Sequence, residues 1–382
     1  MPKIFVPKET QAGETRVAAT PETVKAFIKA GLEVVVQADA GRASHMLDRS
    51  YVEAGARIVD APSAEWAQAD MILKVNGPTP EEAASMKSGA ILVSFISPHK
   101  NLPLVKTLVA GKVTTLAMEL VPRITRAQKM DALSSQASIA GYKAVLIGAS
   151  RLGKYFPLLM TAAGTVQPAK VVIMGAGVAG LQAIGTAKRL GAVVWVSDVR
   201  PAAKEQVESL GGKFIDLPME ESGEGQGGYA KEMSKEFLAK QQAIIAEHVA
   251  SADVVITTAQ IPGKPAPRLV TAATVQRMRP GSVIVDLAAE QGGNCELTEA
   301  GQDVIKHDVL IIGTTNLPAT MPLDASMLYA RNVQALVLHL LKKDEASVSF
   351  NIDKEEEVTR GTLLTYAGEV IHGPTNQALA SA

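Results

Sequence analysis

Gly175, Gly177 and Gly180 follow the β-branched run VVIM and open into an apolar helical pattern carried by Leu181, Ile184 and Ala187. Spaced GxGxxG between strand and helix, the first glycine permits a tight turn, the second lets backbone approach a pyrophosphate, and the third lets helix pack on strand. The helix start, with Val178 and Ala179 beside the last glycine, then offers its unbonded amides to phosphate oxygens. A second strand, AVVWVSD, ends on Asp198, 18 residues past Gly180, where a carboxylate can hold a ribose 2′-hydroxyl and repel a 2′-phosphate. Val199 and Arg200 follow, and Arg200 can neutralise a phosphate, which weakens that preference for NAD(H) over NADP(H). The alternative is a tight turn with an incidental surface aspartate. A lone GxGxxG would leave it standing, but strand, glycines, helix, second strand and terminal acid together favour a nucleotide site.

Two other stretches carry polar chemistry. VPRITRAQKMDALSSQAS concentrates Arg123, Arg126, Gln128, Asp131, Ser134, Ser135 and Gln136 just before an Ala/Ser/Gly-rich run. Arg123 suits an anion or amide, Asp131 can orient an arginine, and Ser134 and Gln128 can bond a carboxamide or ribose. A solvated helix-start loop fits the same residues. LPMEESGEGQGGYAKEM places Gly228 and Tyr229 in a glycine-rich loop that reads equally as a lid over bound nucleotide or as a solvated linker.

The elements that must position these residues are visible as alternation. KIFVP, LEVVVQ, MILKV, AILVSF and VTTLAM alternate with helical patterns, and a second series runs through AKVVIMGAG, AVVWVSDVR, KFIDL, ADVVITTA, GSVIVDLA and VLIIGTT. That is an α/β chain with two Rossmann-like doubly wound parallel-sheet domains, joined by long helices with a cleft between them. The first helix is punctuated by Thr20 as N-cap, Pro21 at its first position and Gly31 at its end. Residues 133–163 read as a helical connector. The tail, with VSFNI and TLLTY, is too short for its own core and is expected to return to the first domain. The expected division is 1–136 plus 332–382 for a first domain without a glycine fingerprint, and 137–331 for the nucleotide domain.

Composition narrows the classes. The 382 residues carry 38 Lys+Arg against 39 Asp+Glu, without the basic stripe that phosphate-backbone binding needs, so nucleic acid is not an expected partner. The longest uncharged stretch, Val171 to Ala187, is 17 residues and holds the fingerprint, so no membrane span is expected. One cysteine, Cys295, and a start lacking signal-peptide design point to the cytoplasm. Six histidines form no metal-like pair and there is no GxSxG elbow, which leaves neither metal catalysis nor acyl transfer supported.

RITRAQKMDALSSQASIAGY, MGAGVAGLQAI, GGYAKEM, IPGKPAP and DLAAEQGGNCE, with the opening KETQAGETRVAATP, resemble the NAD(H)-binding component, domain I, of proton-translocating nicotinamide nucleotide transhydrogenase. The resemblance covers essentially the whole chain. It implies a homodimeric alpha-1 type subunit that passes hydride between NADH and NADP⁺. The NADP(H) is held on domain III of a beta subunit, and the reaction is coupled to proton movement through membrane subunits (alpha-2, beta). It also implies the Re/Si-specific class and a peripheral position on the cytoplasmic side of the inner membrane. Residue by residue, it assigns Arg123, Asp131 and Ser134 to the nicotinamide end of NADH and Gln128 to the NADP(H) side. Gly175, Gly177, Val178, Ala179, Gly180, Asp198, Val199 and Arg200 fall to the adenosine and pyrophosphate, and Gly228 and Tyr229 to a mobile loop. No metal is implied.

Alanine dehydrogenase shares the KExxxxExRVAxTP opening and is the alternative reading. Of its substrate residues, an arginine, a lysine, a histidine and an aspartate, Arg16 and Lys74 stand at the first two positions, while Ser97 and Glu290 replace the last two. Losing the imidazole removes the proton handler, and Arg16 and Lys74 are then expected to remain as structural pairs. A non-catalytic NAD-sensing subunit is the third reading.

Overall fold

The computed structural model describes residues 1–216, 235–261, 263–344 and 347–381, without the side chains of residues 235–239. The chain divides into two compact units, Met1–Gln136 with Ala319–Ala382, and Ala137–Pro318.

In the first unit eight strands form one sheet in the order Glu369–Val370, Leu363–Tyr366, Thr114–Ala117, Ile91–Ser94, Met71–Leu73, Lys3–Val6, Glu33–Gln37 and Arg57–Val59. The last six run parallel, and the two C-terminal strands add antiparallel at the Thr114–Ala117 edge. Alternate residues of each central strand feed opposite cores. Ile4, Val34 and Leu73 pack with Phe27, Tyr329 and Leu336 on one face, and Phe5, Val35 and Ile72 pack with Trp66 and Leu108 on the other. Both faces are covered, as parallel sheets require. Helix α1, Pro21–Lys29, begins at Thr20, whose hydroxyl accepts the Thr23 amide, and the chain leaves it through Gly31 at φ +96°. Cap and stop are both legible in the sequence, and Val24 and Phe27 are buried on the inner face.

The second unit is a seven-stranded sheet in the order Lys213–Phe214, Val193–Ser197, Lys170–Met174, Val254–Thr257, Val283–Asp286, Val309–Ile312 and Asp303–Lys306. The first six are parallel in the doubly wound order, with the switch between Lys170–Met174 and Val254–Thr257. Asp303–Lys306 is an antiparallel edge that the sequence pattern does not reveal. Its alternation of exposed and half-buried residues lacks the apolar signal of the interior strands.

Two expectations need correction. The connector is helical only over α2, Ala132–Arg151; after Gly153 and Pro157 the chain forms an antiparallel hairpin, Leu159–Thr161 with Gly164–Val166. The return to the first unit falls at Ala319 and not at 332. The reason is helix α4, Pro322–His339: Tyr329, Val333, Leu336 and Val337 all enter the first unit's core, so the helix belongs there from its first turn. Among the described residues no helix is long and apolar enough to cross a membrane.

Candidate functional site

The glycine turn leaves the Lys170–Met174 strand and enters helix α3, Val178–Arg189. Each glycine has its own steric reason. Gly175 sits at φ +103°, and a Cβ there would collide with the Thr258 hydroxyl. A Cβ on Gly180 would be driven into the Gly175 carbonyl, so no side chain fits where helix crosses strand. Gly177, the N-cap of α3, has nothing within 4 Å of its Cβ position, so the surface above it is open for a ligand. The first three amides of α3 have no intrahelical acceptor and, with the helix dipole, suit a pyrophosphate there. Val178 is exposed and Ala179 half-buried.

Side chains brace this turn from both sides. The Thr258 hydroxyl lies 3.1 Å from both the Met174 and the Gly175 carbonyl oxygens. Asp198 accepts the Ala176 amide at 2.7 Å and also holds Arg200, through its backbone amide and Nε at 2.9 Å each and Nη2 at 3.0 Å. Asp198 and Arg200 are therefore brought together, and the carboxylate that would meet a ribose also holds the loop that would meet the phosphates. Val199 lies half-buried between them. On the back of the turn, α2 comes so close that a Cβ on Gly141 would overlap the Ala179 carbonyl. The small residues of the connector serve that approach.

The sequence alone does not mark Thr258 as a functional residue. Its signal is position: it follows the Val254–Thr257 strand at the carboxyl end of the sheet, beside the switch point where open α/β sheets bind ligands. Next to it, buried Asp286 accepts the Thr257 hydroxyl at 2.9 Å, the Ala288 and Cys295 amides at 3.0 Å and the Thr298 hydroxyl at 2.6 Å. Cys295 is fully buried and burial pushes its thiol up, so it is a packing residue.

In the first unit the polar segment forms a 3₁₀ turn, Thr125–Met130, running into α2. Ala127 and Met130 are buried under it, Arg123 and Gln128 are exposed, and Asp131 and Ser134 are half-buried. Asp131 caps α2, accepting the Ser134 amide at 2.9 Å and its hydroxyl at 2.5 Å. Two members of the cluster face inward instead: Ser135 bonds Asn332 at 2.7 Å, and Gln136 donates to the Ala325 carbonyl at 3.1 Å. Arg126 pairs with Glu356 at 3.4 Å and Glu357 at 2.9 Å. Gly228 and Tyr229 lie outside the described residues.

Arg16 and Lys74 are indeed structural pairs. Arg16 donates Nε and Nη2 to Glu14 at 2.8 and 2.7 Å and Nη1 to Gln136 at 2.9 Å. Burial would raise Glu14, but the Arg16 guanidinium overrides it and holds the carboxyl at about 2. Lys74, 1% exposed, lies 3.5 Å from Glu9 and 3.3 Å from Glu82. Burial pushes Glu9 up against the pull of Lys74. Ser97 donates its amide to Glu119, which burial likewise pushes up. Glu290 accepts the Asn316 amide at 2.8 Å. Among the described residues no cluster of three or more His, Cys, Asp or Glu could hold a metal ion.

The doubly wound order, with its glycine turn at the carboxyl end of the first strand, defines a Rossmann-type dinucleotide-binding unit in a chain that also carries a second parallel-sheet unit. The comparisons make this specific. Residues 5–140 match the family alanine dehydrogenase/PNT, N-terminal domain, and residues 144–373 match alanine dehydrogenase/PNT, C-terminal domain; the chain belongs to this family. It is 48% identical over 377 residues to the first of the two-part alpha subunits named NAD(P) transhydrogenase in Rhodospirillum rubrum, covering 97% of this chain and 98% of that one. It is 32% identical to an alanine dehydrogenase of Mycolicibacterium smegmatis, covering 89% of this chain and 88% of that one. A solved structure described as transhydrogenase from Sinorhizobium meliloti superposes with a TM-score of 0.87 at 46% identity, covering 96% of this chain and 99% of the other.

Proposed function

We propose that this chain is the NAD(H)-binding subunit of a proton-translocating transhydrogenase, and that it passes hydride directly between NADH and NADP⁺ held on domain III of a partner subunit. The observation that carries the reading is the likeness along 97% of the chain to a transhydrogenase alpha subunit, at 48% identity against 32% for an alanine dehydrogenase. The chemistry of the residues supports it. Transfer between two nicotinamides moves no proton at the reacting carbons, so what is needed is alignment of two rings and exclusion of water. An amino-acid dehydrogenase needs cations for a carboxylate and a proton handler. Here Arg16 and Lys74 are engaged by Glu14, Glu9 and Glu82, and Ser97 stands where the imidazole would be.

In this reading the amides of Val178, Ala179 and Gly180 bind the pyrophosphate above Gly175 and Gly177. Asp198, Val199 and Arg200 bind the adenosine, and Gly228 and Tyr229 close over the nucleotide. Arg123, Asp131 and Ser134 hold the nicotinamide end, with Ser134 fixing the carboxylate of Asp131, while exposed Gln128 reaches the NADP(H) side. The hairpin and the segment leading into it expose Tyr155, Leu158 and Met160, and that apolar set supports a homodimer. Membrane subunits of alpha-2 and beta type would hold the dimer peripherally on the cytoplasmic side of the inner membrane and give the reaction its Re/Si class.

Reconstitution tests this. Host membranes washed free of the subunit are assayed for hydride transfer from NADH to an NADP⁺ analogue, with and without the purified chain. Activity that returns only with the chain supports the reading. No return, together with NADH oxidation by the chain alone on pyruvate and ammonium, replaces it with alanine dehydrogenase.

A further inference from the structure

We infer that Asn332, about two hundred residues away in sequence from the polar turn, is a positioning residue for hydride transfer and acts by fixing the direction of Gln128. The inference rests on the transhydrogenase reading. The 3₁₀ turn Thr125–Met130 is held to the core by Ala127 and Met130, three residues apart and so on one side of a helix with three residues per turn. Apolar contacts along one line set the depth of a turn but resist rolling about that line only weakly, because they are non-directional. Gln128 and Lys129, between the two anchors, are exposed and would swing with any roll. A directional bond off the line is needed, and Asn332 supplies it: its Nδ2 donates to the Lys129 carbonyl at 2.8 Å.

The other half of the carboxamide secures the far end of the segment. A carbonyl can only accept, so Nδ2 must face Lys129 and Oδ1 must face Ser135, whose hydroxyl donates to it at 2.7 Å. Ser135 lies one residue beyond Ser134, in the first turn of α2. One amide on α4, itself 8% exposed, thus clamps both ends of the stretch that carries Gln128, Asp131 and Ser134. The Asp131 amide bonding the Gln128 carbonyl at 3.3 Å makes that stretch one mechanical piece. Catalysis by alignment makes this clamp count: a misplacement of about 1 Å can cost on the order of a hundredfold in rate.

The experiment uses the full chain with washed membranes bearing the NADP(H) partner, and measures the NADH dissociation constant and the single-turnover transfer rate for Asn332→Asp, Gln128→Asn and the double variant. Asn332→Asp puts a carboxylate oxygen against the Lys129 carbonyl. It is expected to slow transfer about tenfold or more while NADH affinity stays within about threefold. If Asn332 acts through Gln128, the double variant is no slower than Gln128→Asn alone, within about twofold. Losses that multiply, or an NADH affinity that falls as far as the rate, overturn the inference. Should Asn332→Asp fail to fold, Ser135→Ala with Asn332→Ser gives the same cycle. An unsubstituted chain that transfers no hydride overturns the functional reading first and this one with it, whereas normal transfer with multiplying losses overturns this one alone.

Discussion

The glycine turn of the second unit and the polar turn of the first are built on opposite plans. The first is specified by absence: Gly175 and Gly180 are there because a Cβ would strike Thr258 or the Gly175 carbonyl, and every constraint but those from Thr258, Asp198 and Gly141 lies within six residues. The second is specified by attachment, with Asn332 on α4 and Glu356 and Glu357 beyond it reaching back to hold Lys129, Ser135 and Arg126. A turn shaped by backbone sterics announces itself in sequence. A turn shaped by distant side chains does not, although it can be held just as firmly.

Gly180→Ala should show the largest effect, because the new methyl meets backbone that cannot yield. NADH binding is expected to fall by about a hundredfold or more, with the second unit's thermal midpoint dropping as well. Gly177→Ala faces open space, so it should weaken NADH while leaving the midpoint nearly unchanged. Equal losses of midpoint in the two variants, read by calorimetry, would break the steric account of the turn.

Gln128→Asn shortens an exposed side chain without touching the tethers of its turn. Hydride transfer should slow by about tenfold or more with NADH affinity held within a few fold. Collapse of NADH binding in a fluorescence titration would mean that the residue faces NADH itself.

Glu14→Gln tests the tethered side away from the turn. Glu14 is depressed in the folded protein, to about 2 from an ordinary 4.5, so its stabilisation is fully present above the unfolded value and fades as pH falls through the folded one. The variant should lose about 3 kcal/mol near neutrality and progressively less from pH ~4.5 towards ~2. Glu9, raised by burial, carries the opposite sign, and Glu9→Gln should cost little at neutral pH. Denaturant midpoints across that range check both, and a pH-independent loss for Glu14→Gln would reject the assignment. Smallest of all, Asp198→Asn should relax NAD over NADP preference by several fold, since removing the negative charge lifts the repulsion of a 2′-phosphate. An unchanged ratio of dissociation constants would place the selection elsewhere.

The same division decides how much can be read in advance. Interior strands such as VVIM and VVIT, the Thr20 cap and the glycine turn are local patterns, and each stands in the structure where its pattern puts it. The Arg57–Val59 and Asp303–Lys306 edge strands are short and partly exposed, so they lack an apolar run to mark them. Leu159–Val166 reads as a continuation of α2 because Ala and Met favour helix, until Pro157 and Gly164 are weighed. Asn332 has no local signal at all, since an asparagine within an apolar helix looks like a surface position until its partners are known.

The first unit's sheet has a consequence for synthesis. Thr114–Ala117 receives its outer neighbour, Leu363–Tyr366, only after the whole second unit has been made, and the Thr365 hydroxyl then closes on the Val113 carbonyl and Thr115, 252 and 250 residues back. On the ribosome the continuous segment Ala137–Pro318 can complete its core while the first unit still shows an open strand edge and an uncovered apolar face awaiting α4. The nucleotide-binding half is thus positioned to mature first, and the exposed edge is the place where a chaperone or a misplaced second chain would compete with the protein's own tail.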